Sequence, residues 1–528
     1  MSLRKDTQLE PPFKTLLIAN RGEIAIRIIR ACREMGIESV AVYSDADVDA
    51  LHRCVADRAV HIGPAPANDS YLRVEKIIEA AQATGAEAIH PGYGFLSEQP
   101  ALAEACAASG IVFVGPASET LAQLGDKLAA RRRAMAAGVP VVPGTFEPLD
   151  VAGAAGRATA RLEAERIGWP LLVKAAAGGG GRGMRRVDGP DQLDESISSA
   201  SREAAAAFGD GSVYLERFVE RARHVEVQLL GDDHGNVVAL GERDCSVQRR
   251  HQKLVEESPV PGLSTKQRRE LHALGVKVAL TVGLRNAATA EFLLTPDTEF
   301  WFLEVNARLQ VEHGVTELVA DVDLVQEQIW IAAGRPMSDR VLVAAARAAT
   351  PERHAIEIRV SAEHPALHFA PAPGRIDHWR PPSGPGVRLD AGVEEGSVVS
   401  EHYDPLVAKL LVVAEDRPLA LARLRRALDE FEIGGIQTTL PFHRWLLRQL
   451  DFAAATGLST DLVDRLWQPI ELVSVAALRA AELAALAGLD PSRTAAAAED
   501  SRGAHRANGR GDETWWQKGV AEATERLA

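Results

Sequence analysis

Residues 170–189 read PLLVKAAAGGGGRGMRRVDG, and how the chain enters and leaves the four consecutive glycines decides the fold. Gly178, Gly180 and Gly183 satisfy the G-x-G-x-x-G spacing of a dinucleotide turn. Such a turn has to open a helix, because the pyrophosphate sits on the helix N-terminus. Here an apolar run leads in and MRRVDG leads out, and both read as short strands. A glycine loop between two strands is a different device. Its backbone N–H groups can close on a polyphosphate, and Lys174, at the end of the first strand, supplies an ammonium. No Gly-Lys-Ser/Thr follows the glycines, so the loop is not a P-loop. Taken alone, the stretch also fits a plain hairpin with a surface lysine.

The rest of the composition narrows the classes. At 528 residues, 46% hydrophobic and 25% charged, the chain has the length of several domains and an ordinary globular balance. A formal charge of −14 argues against nucleic acid as the main partner, which needs a basic surface. Cys32, Cys54, Cys106 and Cys245 are scattered without a C-x-x-C pair, fitting neither a disulfide framework nor a zinc knuckle. The opening MSLRKDTQLEPP lacks the apolar core of a signal peptide, and no apolar run approaches bilayer length. A cytoplasmic chain with no membrane partner is the expectation.

Outward from the glycines, the N-terminal third alternates. TLLIA (15–19) predicts a strand, Asn-Arg-Gly a tight turn, and the spacing of Ile24, Ile28 and Ile29 an amphipathic helix before the strand ESVAVYS. With the helix YLRVEKIIEAAQATG and the strands in EAIH and IVFVGP, this predicts a doubly wound parallel sheet to about Pro116. A single helix is expected over 117–137, then a strand in VPVVPG and an Ala/Arg-rich helix to Arg166. From 213 to about 414 the pattern is mostly strands, with helices at 266–281 and 323–334 and a further one at 418–431, an α+β region. Beyond 467 an Ala/Leu helix, a polar Gly/Arg linker and a short final helix are expected.

Chemistry-bearing residues concentrate in this second half. Glu291 in TAEFLL and Glu304 in FLEVNARLQVEH fall on strands joined by a turn at Pro296-Asp297. As inward-facing antiparallel neighbours, with Asn306 two residues on, they form a hard-oxygen set suited to magnesium. Exposed strand carboxylates are the competing reading; the glycine loop and Lys174 favour the metal, because nucleotide phosphates require one. If the same strand persists, Asn306, Arg308, Gln310 and Glu312 share a face, combining an anion-binding guanidinium, an amide and a base. RRHQK (249–253) and His224 in RHVEVQ carry no such weight alone, since most charge runs are solvated and most lone histidines structural.

Together these segments resemble the biotin carboxylases of the ATP-grasp superfamily. The match runs in order through IANRGEIAIRIIRAC, HPGYGFLSE, GDK, VPVVPG, VKAAAGGGGRGMR, RHVEVQ, GERDCSVQRRHQK, FLEVNARLQVEH, PAPGRI, GPGVRLD, HYDPLVAKL and IGGIQTTL, covering about 13–467. The resemblance implies a multidomain α/β and α+β architecture. Its parts are a doubly wound N-terminal domain (1–126), an ATP-grasp lid with its connecting helix (127–218), a C-terminal catalytic domain (219–467) and a tail (468–528).

It further implies ATP contacts at Lys127, Lys174, Glu216, His224, Gln248 and His251, with the backbone of Gly178, Gly179, Gly180, Gly181 and Gly183 over the phosphates. Two magnesium or manganese ions would be held at Glu291, Glu304 and Asn306. Bicarbonate would meet Lys253, Arg308, Gln310 and Val311, with Glu312 as the base. Arg359 would steady the biotin enolate, and Asp404 would lie near the biotin pocket. Ala177 in the first place of the glycine run, Ala307 for Thr, Gly314 for Pro, NAAT at 286–289 and Arg353 for Gly depart from the family pattern without removing a catalytic side chain.

Family biotinyl domains carry biotin on the lysine of Ala-Met-Lys-Met, and none of Met1, Met35, Met135, Met184 and Met337 adjoins a lysine. The expected partners are therefore a biotin carboxyl carrier on another chain, a second copy in a homodimer and a carboxyltransferase subunit. Service to an acyl-CoA carboxylase is the leading expectation. A pyruvate carboxylase component, a carbamoyl-phosphate-type ligase and a non-catalytic ATP-binding scaffold are the alternatives.

Overall fold

The computed structural model describes residues 10–151, 153–176 and 184–468. The N-terminal alternation folds as expected. Strands β1 (Thr15–Ile18), β2 (Glu38–Ser44), β3 (Arg58–Gly63), β4 (Ala88–His90) and β5 (Val112–Phe113) form one parallel sheet in the order β3-β2-β1-β4-β5. Helix α1 (Gly22–Met35) follows β1 and buries Ile24, Ile28 and Ile29, the residues whose spacing predicted it. Its C-terminus closes on Gly36 at φ 72°, a left-handed cap that spares a side chain the steric cost.

Two expectations change between 117 and 151. The single helix divides into α2 (Ser118–Gly125) and α3 (Lys127–Ala136). Asp126 stands at the break, its carboxylate accepting from the Ala129 N–H at 2.9 Å, and capping a new helix starts the next turn on a new axis. VPVVPG is extended but makes only isolated bridges, Val141 to Phe302 and Gly144 to Glu216. Pro140 and Pro143 have no N–H to give to a ladder.

A smaller unit follows, with helix α4 (Ala154–Ile167) and strands β6 (Leu171–Ala175) and β7 (Arg185–Val187). These strands pair antiparallel, so the segment that decided the reading does join two strands rather than open a helix. The glycines lie outside the described residues. Helix α5 (Leu193–Phe208), which the sequence pattern did not predict, and β8 (Val213–Arg217) complete a β7-β6-β8 sheet. Its own core comprises Leu149, Ala160, Val173, Ile197 and Leu215 among others.

The central element is an eight-stranded sheet. It is built from β9 (Arg223–Gly231), β10 (Val237–Arg249), β11 (Gln252–Ser258), β12 (Asn286–Leu294), β13 (Phe300–Asn306), β14 (His354–Ser361), β15 (Val387–Ala391) and β16 (Leu406–Ala414). The order is β13-β12-β9-β10-β11-β14-β16-β15, antiparallel throughout. Helix α6 (Thr265–Thr281) packs beneath β9, β10 and β12, starting at a capping box between Ser264 and Gln267. Helix α7 (His313–Ala320) contacts β10, β14 and β16, and α8 (Arg417–Glu430) covers β14 and β16.

Strand β13 does not continue to Glu312 as the alternation predicted. It ends at Asn306; 307–312 form a loop, and Glu312 is the N-cap of α7. Ala307 and Leu309 are buried in two different cores, which turns the chain out of the sheet. Among the described residues no helix is long and apolar enough to cross a membrane.

Candidate active site

Strand alternation and register assemble the site. On β9, His224, Glu226 and Gln228 face one way, two residues apart. Glu291 of β12 lies directly opposite Glu226 on one side and Glu304 of β13 on the other. Like charges opposite one another in a sheet are destabilising, so a row of three glutamates across three strands requires compensating cations. The molecule supplies them.

Lys253 from β11 places Nζ at 2.6 Å from Glu226, 2.6 Å from Glu312 and 3.2 Å from Glu291. Arg243 of β10, fully buried, binds Glu226 at 2.5 Å and also donates to Gln228, Thr289 and Thr316. Lys127, at the start of α3, pairs with Glu304 at 2.5 Å. His224 Nε2 lies 3.0 Å from the second oxygen of Glu291, and the Asn306 amide donates to Glu291 at 2.9 Å.

Glu312 is the junction. One oxygen meets Lys253 and the other meets Arg359 of β14 at 3.0 Å, while Arg359 also holds Glu256 at 2.6 Å through Nε. Burial works to raise the Glu312 carboxyl, yet Lys253, Arg359 and Arg243 hold it well below the ordinary carboxylate range. Glu291 follows the same logic: burial opposes ionisation, and Lys253 with His224 overcomes it. Glu256 behaves differently. Burial pushes it up to about 7 against the pull of Arg359, with the Glu312 charge adding to the rise.

The turn out of β13 brings the anion-binding candidates alongside. Arg308 donates to Gln310 Oε1 at 3.0 Å and the Leu309 carbonyl at 3.2 Å, and pairs with Glu98 at 3.2 Å. Its Nη2 reaches Asn306 Oδ1 at 3.4 Å. The Val311 carbonyl accepts from Lys409 Nζ at 2.8 Å. The lost strand therefore does not scatter the set: Asn306, Arg308, Gln310 and Glu312 are grouped by a loop and a helix cap rather than by alternation.

A second group lies on the small sheet. Glu216 on β8 is buried and contacts Arg131 through one oxygen and Lys174 through the other. Gln248 is buried near the end of β10, paired in register with Lys253. His251 occupies the hairpin between β10 and β11 at φ 65°. Its imidazole is lowered by burial and by the charges of Lys174 and His224. Asp404 is exposed, accepting from the Leu406 N–H at 2.9 Å.

Glu226, Arg243 and Glu256 were not singled out from the sequence. Glu226 was legible, since it sits between His224 and Gln228 at period two. Arg243 and Glu256 look like members of ordinary charged strands until the sheet order is known.

Two constellations could attract a metal ion among the described residues: His224, Glu226 and Glu291, and Glu226, Cys245 and Glu312. Burial and Glu226 push the Cys245 thiol well up, so in this arrangement it is protonated. The oxygen donors of Glu291 and Glu304, opposite one another with Asn306 at the strand end, fit a hard divalent cation.

Three family models match in succession. They are biotin carboxylase, N-terminal domain (12–121), carbamoyl-phosphate synthase L chain, ATP binding domain (126–340), and biotin carboxylase C-terminal domain (357–465). The biotin carboxylase of Haemophilus influenzae is 47% identical over 440 residues, 83% of this chain and 96% of the relative. The chain belongs to the biotin carboxylase family. It is accordingly an ATP-dependent carboxylase of the ligase class. A pyruvate carboxylase subunit of Methanothermobacter thermautotrophicus is 46% identical over 86% of this chain and 90% of its own length. A crystal structure of Campylobacter jejuni biotin carboxylase in a β,γ-ATP complex superposes with a TM-score of 0.81 at 43% identity, covering 87% of this chain and all of that one.

Proposed function

We propose that this biotin carboxylase uses ATP and bicarbonate to carboxylate biotin carried by another protein, as a homodimeric component of an acyl-CoA carboxylase. The observation that carries the chemistry is Glu312, ionised between Lys253 and Arg359 and adjoining Arg308 and Gln310. It offers a base and an anion site in one place.

Bicarbonate binds where Lys253, Arg308, Gln310 and Val311 meet, and Glu312 accepts its proton as its oxygen attacks the γ-phosphorus of ATP. ADP leaves and carboxyphosphate forms. Its breakdown gives CO2 and phosphate; the phosphate takes the ureido N–H proton of biotin, Arg359 stabilises the enolate oxygen, and the nitrogen takes up CO2. Lys127, Lys174, Glu216, His224, Gln248, His251 and the glycine loop hold the nucleotide. Glu291, Glu304 and Asn306 would hold magnesium or manganese, which when bound disperses charge on the transferring phosphoryl group.

The ion pairs suit this exchange. Lys127 is held by Glu304 and Lys174 by Glu216, so phosphates displace carboxylates from lysines that are already in place. Purified protein should release ADP in a bicarbonate-dependent way, stimulated by free biotin and indifferent to ammonia. Ammonia dependence would instead indicate a carbamoyl-phosphate-type ligase, and no turnover at all a scaffold.

A two-subunit pyruvate carboxylase is the second reading, favoured by the 46% identical archaeal relative of that name. Isolating the native complex and assaying it with acetyl-CoA, propionyl-CoA and pyruvate separates the two acceptors.

A further inference from the structure

The motif IANRGE (18–23) has no role in the assignments above, yet its side chains organise a whole wall of the site. Asn20 Nδ2 donates to the carbonyls of Pro91 and Tyr93, both at 2.7 Å, fixing the HPGYGF turn. That turn needs Gly92, which has φ 63° and would place a Cβ 2.9 Å from the Asn20 amide nitrogen. Glu23 accepts from the Tyr93 hydroxyl and pairs at 3.1 Å with Lys409, the lysine that holds the Val311 carbonyl.

Arg21 is built into a socket. Its guanidinium forks onto Asp47 at 2.8 and 2.6 Å, Tyr71 donates to the same carboxylate at 2.6 Å, and the guanidinium carbon lies 4.2 Å from the centre of the Tyr403 ring. Tyr403 arrives from the HYDPL loop of the C-terminal region. Its hydroxyl is 2.5 Å from Ser44 Oγ and donates to the Ala65 carbonyl at 2.5 Å. Its ring stands edge-on to Tyr71 and Phe95, with centroids at 5.5 and 6.2 Å. Each of these partners belongs to the N-terminal region, and Tyr403 is only 4% exposed.

The residue after Tyr403 is Asp404. The Pro405 carbonyl, next in the chain, accepts from the Ala362 N–H at 2.8 Å just past the end of β14, and Lys409, which shares Glu23 with the Tyr93 hydroxyl, lies opposite Arg359 in the β14–β16 register. One aromatic socket therefore fixes two things relative to Arg359, the Tyr93 turn and the Asp404 loop.

We propose that Arg21 and Tyr403 are positioning residues for the carboxyl acceptor: their cation–π clamp holds the 402–405 loop on the N-terminal sheet and keeps Asp404 and Tyr93 in place beside Arg359. The inference rests on the reading of Arg359 as the residue that meets biotin. Misplacing a positioning loop by about an ångström can cost on the order of a hundredfold in rate.

The test is steady-state kinetics of the full chain with free biotin as acceptor. Tyr403→Ala and Arg21→Met should each raise the KM for biotin about tenfold or more, with the KM for ATP within about twofold of wild type. Combined, they should be less than multiplicative, as expected of one clamp. Tyr403→Phe, which keeps the ring over Arg21 and loses the two hydroxyl contacts, should give a smaller rise of about threefold and serves if the larger truncations do not fold. An unmoved biotin KM in folded Tyr403→Ala or in Tyr403→Phe overturns the clamp, as does an equal rise in the KM for ATP. A wild-type chain that hydrolyses ATP with bicarbonate but is never stimulated by biotin would refute the biotin reading itself.

Discussion

At Glu312 a carboxylate with no exposed surface is kept ionised because Lys253 and Arg359 each contact it and Arg243 adds its field. Removing its charge should therefore be felt by the reaction first. Glu312→Gln keeps the shape and is expected to lower kcat for bicarbonate-dependent ADP release by roughly 10²–10⁴, measured by coupled assay. Arg359→Ala should abolish carboxybiotin formation while bicarbonate-dependent ATP cleavage persists; carboxybiotin yields equal to wild type in both variants would remove these residues from the mechanism. The direction of the Glu312 shift also fixes a pH expectation. A base held well below the ordinary carboxylate range is deprotonated at any pH above about 5, so Glu312 contributes no acid limb to kcat/KM from there to neutrality. An acid limb in that window which disappears in Glu312→Gln would contradict the electrostatics.

Among the elements, the junction of β11, β14 and α8 carries one test. Burial would raise Glu257, but hydrogen bonding from His354 and the charge of Arg417 lower it to about 2. Its folded value lies below its unfolded value, so its stabilisation is present above about pH 4.5 and is lost as pH falls toward 2. The shift corresponds to on the order of 3 kcal/mol. Urea midpoints of wild type and Glu257→Gln should differ most at neutral pH and converge over that acid window.

Helix α7 offers the other test. A Cβ at Gly314 would lie 2.5 Å from Leu411 Cδ2, inside a core where Leu411 is fully buried. Leucine at 411 thus occupies the space that a side chain at 314 would enter. Gly314→Ala is expected to cost about 1–3 kcal/mol, and Leu411→Val in the same chain should recover part of it, read as Tm. Additive losses would mean that the two side chains do not share that space.

Across the whole molecule, the proposed nucleotide site would draw Lys174 and Glu216 from the small sheet, Lys127 from α3 and Glu291 and Glu304 from the large sheet. A ligand spanning those elements should stabilise all of them together. Magnesium-ATP at a hundredfold over its Kd should add about 2.7 kcal/mol, seen as a rise in Tm, and chelating the metal should remove most of it. Equal stabilisation by ATP with and without divalent metal would argue against Glu291 and Glu304 as the metal site.

How much of this was readable follows from the range of each interaction. Alternation and the Pro296-Asp297 turn set Glu291 opposite Glu304, and the strand after the glycines excluded a dinucleotide turn, because both depend on near neighbours in the chain. The same alternation misled at Glu312, where burial of Leu309 in a separate core ends the strand and a helix cap takes over. Sequence alone determined the parallel N-terminal sheet, the two strands on either side of the glycines and the grouping of Glu291, Asn306, Arg308 and Gln310 in outline. Only the tertiary structure decided that Lys253 binds three glutamates from three elements, that Glu256 shares Arg359 with Glu312, and that Tyr403 closes on Arg21. Those contacts join residues 27 to 382 positions apart, and no local pattern encodes which distant charge will satisfy a buried one.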